Sequence, residues 1–249
     1  MKIWEGVEAV PGLPVVYIKG LDAIVCSDLH LGYEGTLADK GTFLPKMNLN
    51  HIKGIMRRAA QKTGASTVII NGDVKNEFST VHTEELNEFI ELAGFLTRDL
   101  GMKKIIVIKG NHDNFINRVT GREGIEVHER EAILKGFLFF HGEELPGGNA
   151  GFLIMGHLHP AVTLYDDAGL REKMRCFLYG ATNAGDNLLV LPAMSYFAEG
   201  VSVNLEPVSR IAPIFKNVAD VDSMRAMCIG EGETLDFGSI RDLKKASER

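Results

Sequence analysis

Apolar residues come in short runs along this chain, and several of the runs stop abruptly at a cluster of polar side chains. In the first half the runs alternate with stretches of helical period. Residues 15–18 and 23–26 are apolar and separated by Lys19, Gly20, Leu21 and Asp22, which predicts two paired strands joined by a turn. Gly32 and Gly35 then predict a loop reaching to about Lys46. Residues 48–62 place Leu49, Ile52, Ile55, Met56 and Ala59 at helical spacing, with Arg57, Arg58 and Lys62 toward the end where the helix dipole favours cations. A strand is predicted over 67–70 and a loop over 74–80. A helix is predicted over 83–100, with Thr83 as its cap, Glu84 and Glu85 in its first turn and Gly101 as its stop. Residues 105–109 form the next strand. Strand, helix, strand, helix, strand in this order predicts parallel strands with right-handed crossovers.

From residue 125 onward the pattern changes. Apolar runs at 125–127, 132–134, 137–140, 152–155, 161–165, 174–179 and 188–191 follow one another with few helix signals between them. They predict a second sheet of mostly antiparallel strands. Residues 142–151 are rich in glycine and form a loop, 201–205 can add a strand, 207–215 read as an irregular surface wrap, and 234–245 read as a turn and short helix. The expected architecture is α/β: two sheets in a sandwich flanked by helices, one domain over residues 1–249, with the segment from about 207 wrapping the core.

Composition narrows the class without choosing a function. The chain has 249 residues, 45% hydrophobic and 24% charged, with a formal net charge of −6. That balance argues against a general basic surface for clamping duplex DNA, while leaving room for a local basic patch. Cys26, Cys176 and Cys228 are widely spaced and make no CxxC. They read as small buried hydrophobes in a reducing compartment. No stretch reaches the ~18 uninterrupted apolar residues of a membrane span, so a cytoplasmic protein is expected.

The chemistry lies where the apolar runs end. One ends in Asp28 and His30, whose spacing of two predicts an extended backbone that points both side chains one way. The run at 67–70 ends in Asn71, Gly72 and Asp73, and that at 105–109 in Gly110, Asn111, His112 and Asp113. Polar side chains ejected from the carboxyl ends of buried strands are how an open α/β sheet presents a site. In the second half His141 closes one run, and His157 and His159 follow another. Two aspartates, one amide and several imidazoles make a mixed oxygen and nitrogen donor set. Mn²⁺, Fe²⁺, Zn²⁺ and Ni²⁺ accept such donors, whereas Mg²⁺ and Ca²⁺ prefer nearly all oxygen. The number of donors suits two ions sharing a bridging carboxylate, the arrangement that activates water and offsets charge in phosphoryl chemistry. His112 can donate a hydrogen bond or protonate a leaving oxygen, and Asp113 can fix its tautomer.

Taken singly, each motif is also compatible with a turn or a surface pair. Together, SDLHLGYE, NGDVKNE, GNHD, FFHG and GHLHP, in that order, resemble the five motifs of the calcineurin-like metallophosphoesterase superfamily. The resemblance runs from about Ala23 to Pro160. The wording of the first two motifs is also similar to that of small archaeal and bacterial phosphoesterases related to a DNA-repair exonuclease. The resemblance implies a four-layer α/β/β/α sandwich and two divalent ions, with Mn²⁺ favoured. It implies that Asp28, His30, Asp73 and His159 hold one ion and that Asp73, Asn111, His141 and His157 hold the other. His112 is then the catalytic acid or phosphate binder, with Asn111 beside it and Asp113 in support.

Other polar residues have plainer readings. His51, His82 and His128 lie outside the strand-end pattern and read as surface or packing residues, Glu77 as a solvated loop carboxylate, and Trp4 as a packing anchor. Lys75, Asn76, Arg118 and Arg122 follow strand ends; they are candidate phosphate contacts, or else ordinary exposed polar groups. The leading expectation is a phosphodiesterase acting on nucleotides or single-stranded nucleic acid. A nucleotide phosphomonoesterase and a non-catalytic scaffold of the same fold are the alternatives. The oligomeric state stays open and is compatible with a homodimer.

Overall fold

The computed structural model describes residues 1–78, 82–114, 116–117, 124–165 and 169–247. Arg118 and Arg122 lie outside them. Two sheets lie face to face. The first runs in chain order through β1 (Lys2–Trp4), β2 (Val7–Ala9), β3 (Val16–Ile18), β4 (Ala23–Cys26), β5 (Thr67–Asn71), β6 (Lys104–Ile108) and β7 (Glu126–His128). Strands β1 to β4 are antiparallel, and β4 to β7 are parallel. The crossovers are α2 (Asn48–Thr63) and α3 (Thr83–Gly94), the latter running into a π-helical turn at Phe95–Asp99.

Alternation along the central strands shows why they bury both faces. Ile24, Cys26, Val68, Ile70, Ile105 and Val107 pack under α2 and α3 against Ile52, Ile55, Met56, Phe89 and Leu92. The residues between them, Val25, Ile69, Ile106 and Ile108, point the other way and meet Phe139, Ile154, Phe177, Leu189 and Met227 of the second sheet. A strand with helices on one face and a sheet on the other reads as a continuous apolar run, which is the pattern of 105–108.

The second sheet contains β8 (Glu131–Leu134), β9 (Phe137–Phe140), β10 (Phe152–Met155), β11 (Pro160–Tyr165), β12 (Arg171–Ala181), β13 (Asn187–Val190), β14 (Val201–Ser202), β15 (Arg225–Ile229) and β16 (Thr234–Ser239). It is mixed: β9, β10 and β13 run parallel, whereas β12 is antiparallel to β11, β13 and β15. Its outer face, with Leu138, Leu153, Cys176, Leu178 and Val190, is covered by Val208, Ala212, Ile214, Phe215, Ile240 and Leu243. These belong to the segment that includes the short helices α4 (Ile214–Asn217) and α5 (Ile240–Ser247). Helices, sheet, sheet and helical cover make the four layers of an α/β/β/α sandwich.

Several local expectations need correction. The stretch expected to be loop between Gly32 and Lys46 contains α1 (Tyr33–Asp39). Its buried Glu34 accepts hydrogen bonds from the backbone of Met47 and Asn48, both at 2.8 Å, so a tertiary contact rather than an apolar stripe holds it. The run at 125–127 does not join the second sheet; β7 pairs in parallel with β6 at the edge of the first. A strand so short carries no signal of its partner. The turn expected from 234 is an edge strand, β16, paired with β15. The cap of α3 is His82 rather than Thr83, with Glu85 accepting from the His82 backbone at 3.2 Å. The three cysteines are buried and unpaired by disulfides. Trp4 packs edge-on against Phe152 and Tyr179. No helix among the described residues is long and apolar enough to cross a membrane.

Candidate metal centre

Parallel strands in register end together, so the tips of β4, β5 and β6 put Asp28, Asp73 and Asn111 at one edge of the sandwich. The second sheet delivers His141 from the end of β9, and His157 and His159 from the turn between β10 and β11. A side chain to which the sequence assigned no role locks the two sheets there. Asn71 donates its amide to the carbonyls of Phe140 at 3.0 Å and Ile154 at 3.1 Å, while its own carbonyl accepts from Ser27 Oγ at 2.7 Å. His141 Nδ1 also donates to the Asn71 carbonyl at 3.1 Å, which turns Nε2 toward the aspartates.

The backbone at the tips is not extended, contrary to the expectation for Asp28 and His30. Both residues are left-handed, with φ of 57° and 46°, and so are Asp73 at 50°, His157 at 63° and His159 at 47°. Left-handed φ disfavours side chains other than glycine by on the order of 1 kcal/mol each and gathers at functional sites. Here it is held by hydrogen bonds between tips: Asp28 N–H donates to the Gly72 carbonyl, and those of Leu29 and His30 to that of Asp73, at 2.9–3.0 Å. The curled chain, not strand alternation, brings Asp28 and His30 to the same point.

The side chains form overlapping groups. The ligand atoms of Asp28, His30 and His159 lie within 4.8 Å of one another, and so do those of Asp73, His141 and His157. A third group, His30, Asp73 and His112, lies between them. His159 Nε2 is 3.0 Å from Asp28 Oδ1, and His141 Nε2 is 3.2 Å from Asp73 Oδ2. Asp28 is fully buried and Asp73 nearly so. Burial would raise both carboxylates, but the imidazoles beside them outweigh it and hold both below the usual range. His141 shows the reverse balance: burial would strip its proton, yet Asp73 and Asp28 raise it to about 10. Burial and the neighbouring His159 push His30 down to about 4, and burial and His141 lower His157. Two buried carboxylates thus demand positive charge, and without cations a proton on His141 supplies it. The buried Oδ1 of Asn111 and Nδ1 of His30 have no hydrogen-bond partner. Buried polar atoms are rarely left so. A mixed set of oxygen and nitrogen donors with unclaimed lone pairs fits divalent transition metals.

His112 sits at the open side, half-buried, with Nε2 3.8 Å from Asp73 Oδ2. Its Nδ1 lies 2.5 Å from the carbonyl of Asn76. A carbonyl only accepts, so Nδ1 carries a proton and Nε2 is the nitrogen left for chemistry. Asp113 was expected to fix that tautomer; the Asn76 carbonyl takes that part. Asp113 is fully buried and accepts from the backbone N–H groups of Val74, Lys75 and Gly110 at 2.8, 3.2 and 2.9 Å. Burial, and then the charge of Asp73, raise its carboxyl to about 7. It organises the loops that carry Asp73 and His112. Lys75, expected to be an exposed group, is buried, and its ammonium donates to the Glu77 carbonyl. Glu77, His51, His82 and His128 lie outside the three groups. Asn48, to which the sequence likewise assigned no role, donates to the carbonyls of Leu29 and His30 at 2.9 and 3.0 Å and accepts from the Tyr196 backbone at 2.8 Å. A polar residue opening a helix gives no sign of such a role.

Gly110 shows how little slack the centre has. A Cβ there would stand 2.3 Å from Asp73 Oδ1 and 2.6 Å from the Asp73 backbone nitrogen. Gly110→Ala is expected to destabilise the fold by about 1–3 kcal/mol through overpacking and to weaken Mn²⁺ binding. Thermal unfolding and a metal titration check this; wild-type metal affinity in the variant would show that Asp73 need not stay where it is.

Comparison with known proteins places this arrangement. Residues 22–158 match the family model described as calcineurin-like phosphoesterase. Compared by sequence with curated proteins, the chain matches none. Among solved structures it resembles nuclease MPE from Pseudomonas putida, with a TM-score of 0.61 and 18% identity over 92% of this chain and 93% of that one. It also aligns with YfcE, a phosphoesterase from E. coli, at a TM-score of 0.42 and 15% identity over 85% of this chain and 95% of the other. At 18% identity the likeness to the nuclease is one of fold. The family match spans both the first-sheet tips and the histidines of β9 and β10, so the chain belongs to the calcineurin-like phosphoesterase family, whose members are metal-dependent hydrolases.

Proposed function

We propose that this chain is a dinuclear metal-dependent phosphodiesterase acting on nucleotides or nucleic acid. The observation that carries the reading is the pair of overlapping donor groups, Asp28–His30–His159 and Asp73–His141–His157, set around two buried carboxylates. Asp73 lies beside members of both groups, so it is the natural shared ligand. Asn111, with its unpartnered buried oxygen, completes the set of Asp73, His141 and His157; Asp73 also joins Asp28, His30 and His159. When bound, the two ions supply Lewis acidity that activates water near neutral pH and offsets charge on phosphoryl oxygens. The donor chemistry favours Mn²⁺, with Fe²⁺, Zn²⁺ and Ni²⁺ also accepted.

The chain's own residues do the rest. Asn111 and His112, both half-buried, orient the substrate phosphate. His112 keeps Nδ1–H on the Asn76 carbonyl and presents Nε2 to the oxygen that leaves, donating a hydrogen bond or a proton when the imidazole is charged. Asp113 holds the backbone beneath both groups. That single imidazole serves the one oxygen that leaves when a diester is cleaved.

Treatment with a chelator is expected to abolish hydrolysis of bis(p-nitrophenyl) phosphate, and Mn²⁺ to restore it best. Activity that survives complete removal of metal would refute the mechanism.

A further inference from the structure

The loop from Ser195 to Gly200 is fastened to the metal centre at both ends. Ser195 N–H donates to the Asp28 carbonyl at 3.1 Å, and Val201 N–H donates to the His159 carbonyl at 2.8 Å. Between these anchors the loop carries two aromatic rings. Phe197 stacks on Tyr33, three residues past His30, with centroids 4.7 Å apart and planes 17° from parallel. Tyr196 stands edge-on to Phe197 at 5.1 Å and is 45% exposed. Tyr196 also stands edge-on to His51 at 5.2 Å, and the rest of its ring is left open to solvent.

A row of cations adjoins these rings. Along β12, Met174 packs into the outer core of the second sheet, as do Val162 and Leu164 of the paired β11. Strand alternation therefore sends Arg171, Lys173 and Arg175 to the opposite side. There they line, with Tyr196 and Glu199, an open concavity of about 350 Å³. Arg175 directs its guanidinium to the carbonyl of Tyr196 at 2.9 Å, and Lys173 directs its ammonium to that of Gly200 at 2.5 Å. Both hold the loop through backbone oxygens rather than carboxylates, so their charge stays available to an anion. Across the centre, the half-exposed Phe78 meets the His112 ring edge-on at 5.7 Å.

We propose that a single-stranded polynucleotide crosses the metal centre with a base on Tyr196 and its phosphates along Arg171, Lys173 and Arg175. This rests on the phosphodiesterase reading and names its substrate class. Rings stack on bases of any sequence, and a row of cations spaced along a strand tracks a phosphate backbone. A duplex hides the faces of its bases, so rings serve only an unpaired strand. The net charge of −6 fits this too, because it argues against the general basic surface that clamps a duplex and leaves room for a local basic row.

The test uses the Mn²⁺-loaded chain and two probes with phosphorothioate linkages to slow cleavage: an oligothymidylate and an abasic strand of equal length and charge. The wild type is expected to bind the oligothymidylate roughly 5- to 150-fold more tightly, the range of one base–ring stack. Tyr196→Ala is expected to erase most of that preference while leaving affinity for the abasic strand unchanged. Tyr196→Trp, which keeps a ring and the loop's bulk, is expected to retain the preference. Arg171→Gln is expected to weaken both strands alike and to lower the slope of log affinity against log salt by roughly 0.7. Equal binding of the two strands by the wild type, or a preference that survives Tyr196→Ala, would overturn the proposal. Hydrolysis of bis(p-nitrophenyl) phosphate by the wild type is scored separately, so failure of the phosphodiesterase reading is told apart from failure of the track.

Discussion

His112→Ala is expected to keep both metal ions and to lose turnover of bis(p-nitrophenyl) phosphate by roughly 10²- to 10⁴-fold, the range for a positioned general acid. Nδ1 is committed to the Asn76 carbonyl at 2.5 Å, so one nitrogen remains, at the half-exposed side of the cluster. The surrounding donors suffice for two ions without it. His112 also lies within 4.8 Å of the ligand atoms of His30 and Asp73, and that closeness sharpens the test. If His112 were a ligand, its removal would lower metal content along with turnover. Equal metal content with unchanged turnover would remove it from the chemistry altogether. On a substrate whose leaving oxygen is more basic than p-nitrophenolate the gap between variant and wild type should widen, since a strongly basic oxygen depends more on the proton.

Asp73 carries the second large effect. Its Oδ1 accepts from the His112 backbone at 3.1 Å, and its Oδ2 lies 3.2 Å from His141 Nε2 and 3.8 Å from His112 Nε2. Asp73→Asn keeps the shape and removes the charge, so both ions should bind weakly and turnover should fall at least about 10³-fold, about 4 kcal/mol of transition-state stabilisation. The same substitution reads out in the metal-free chain. There His141 is raised from its ordinary 6.5 to about 10, and Asp73 is the chief charge opposing its burial. A base raised on folding stabilises fully below its unfolded pKa, and that contribution fades as pH climbs through the folded value. Asp113, raised to about 7, acts in the same direction and adds only to the start of that loss, since it is nearly fully titrated by about pH 8. The metal-free wild type should therefore lose thermal stability between about pH 7 and 10, and Asp73→Asn should flatten that decline. Mn²⁺ should flatten it too, because cations replace the proton. A metal-free wild type whose melting temperature does not move over that interval would contradict the charge balance drawn for the centre.

The parts of this molecule that could be read from its sequence are those with a repeating physical signal. Helices α2 and α3 show an apolar stripe, and β4, β5 and β6 are buried on both faces, so their residues are apolar throughout. The polar side chains at the strand ends were legible because an aspartate or histidine after such a run has no packing role to explain it. What escaped was held by contacts distant in sequence. Helix α1 depends on Glu34 meeting the backbone of Met47 and Asn48. Strand β7 depends on its register with β6, which three residues cannot encode. The curl at Asp28 and His30 depends on Gly72 and Asp73 carbonyls more than forty residues away. Asn71, which ties β5 to the ends of β9 and β10, looked like one more turn residue beside Gly72. Lys75 looked like a phosphate contact because charge is ordinarily exposed, yet its ammonium finds a carbonyl inside.

The central claim is that strand tips remote in sequence converge to hold two divalent ions. Elemental analysis of the chain after stripping, reloading with excess Mn²⁺ and removal of free metal tests it most directly. The account predicts two ions per wild-type chain, two in His112→Ala and fewer in Asp73→Asn. A wild-type chain that retains one ion or none would contradict it.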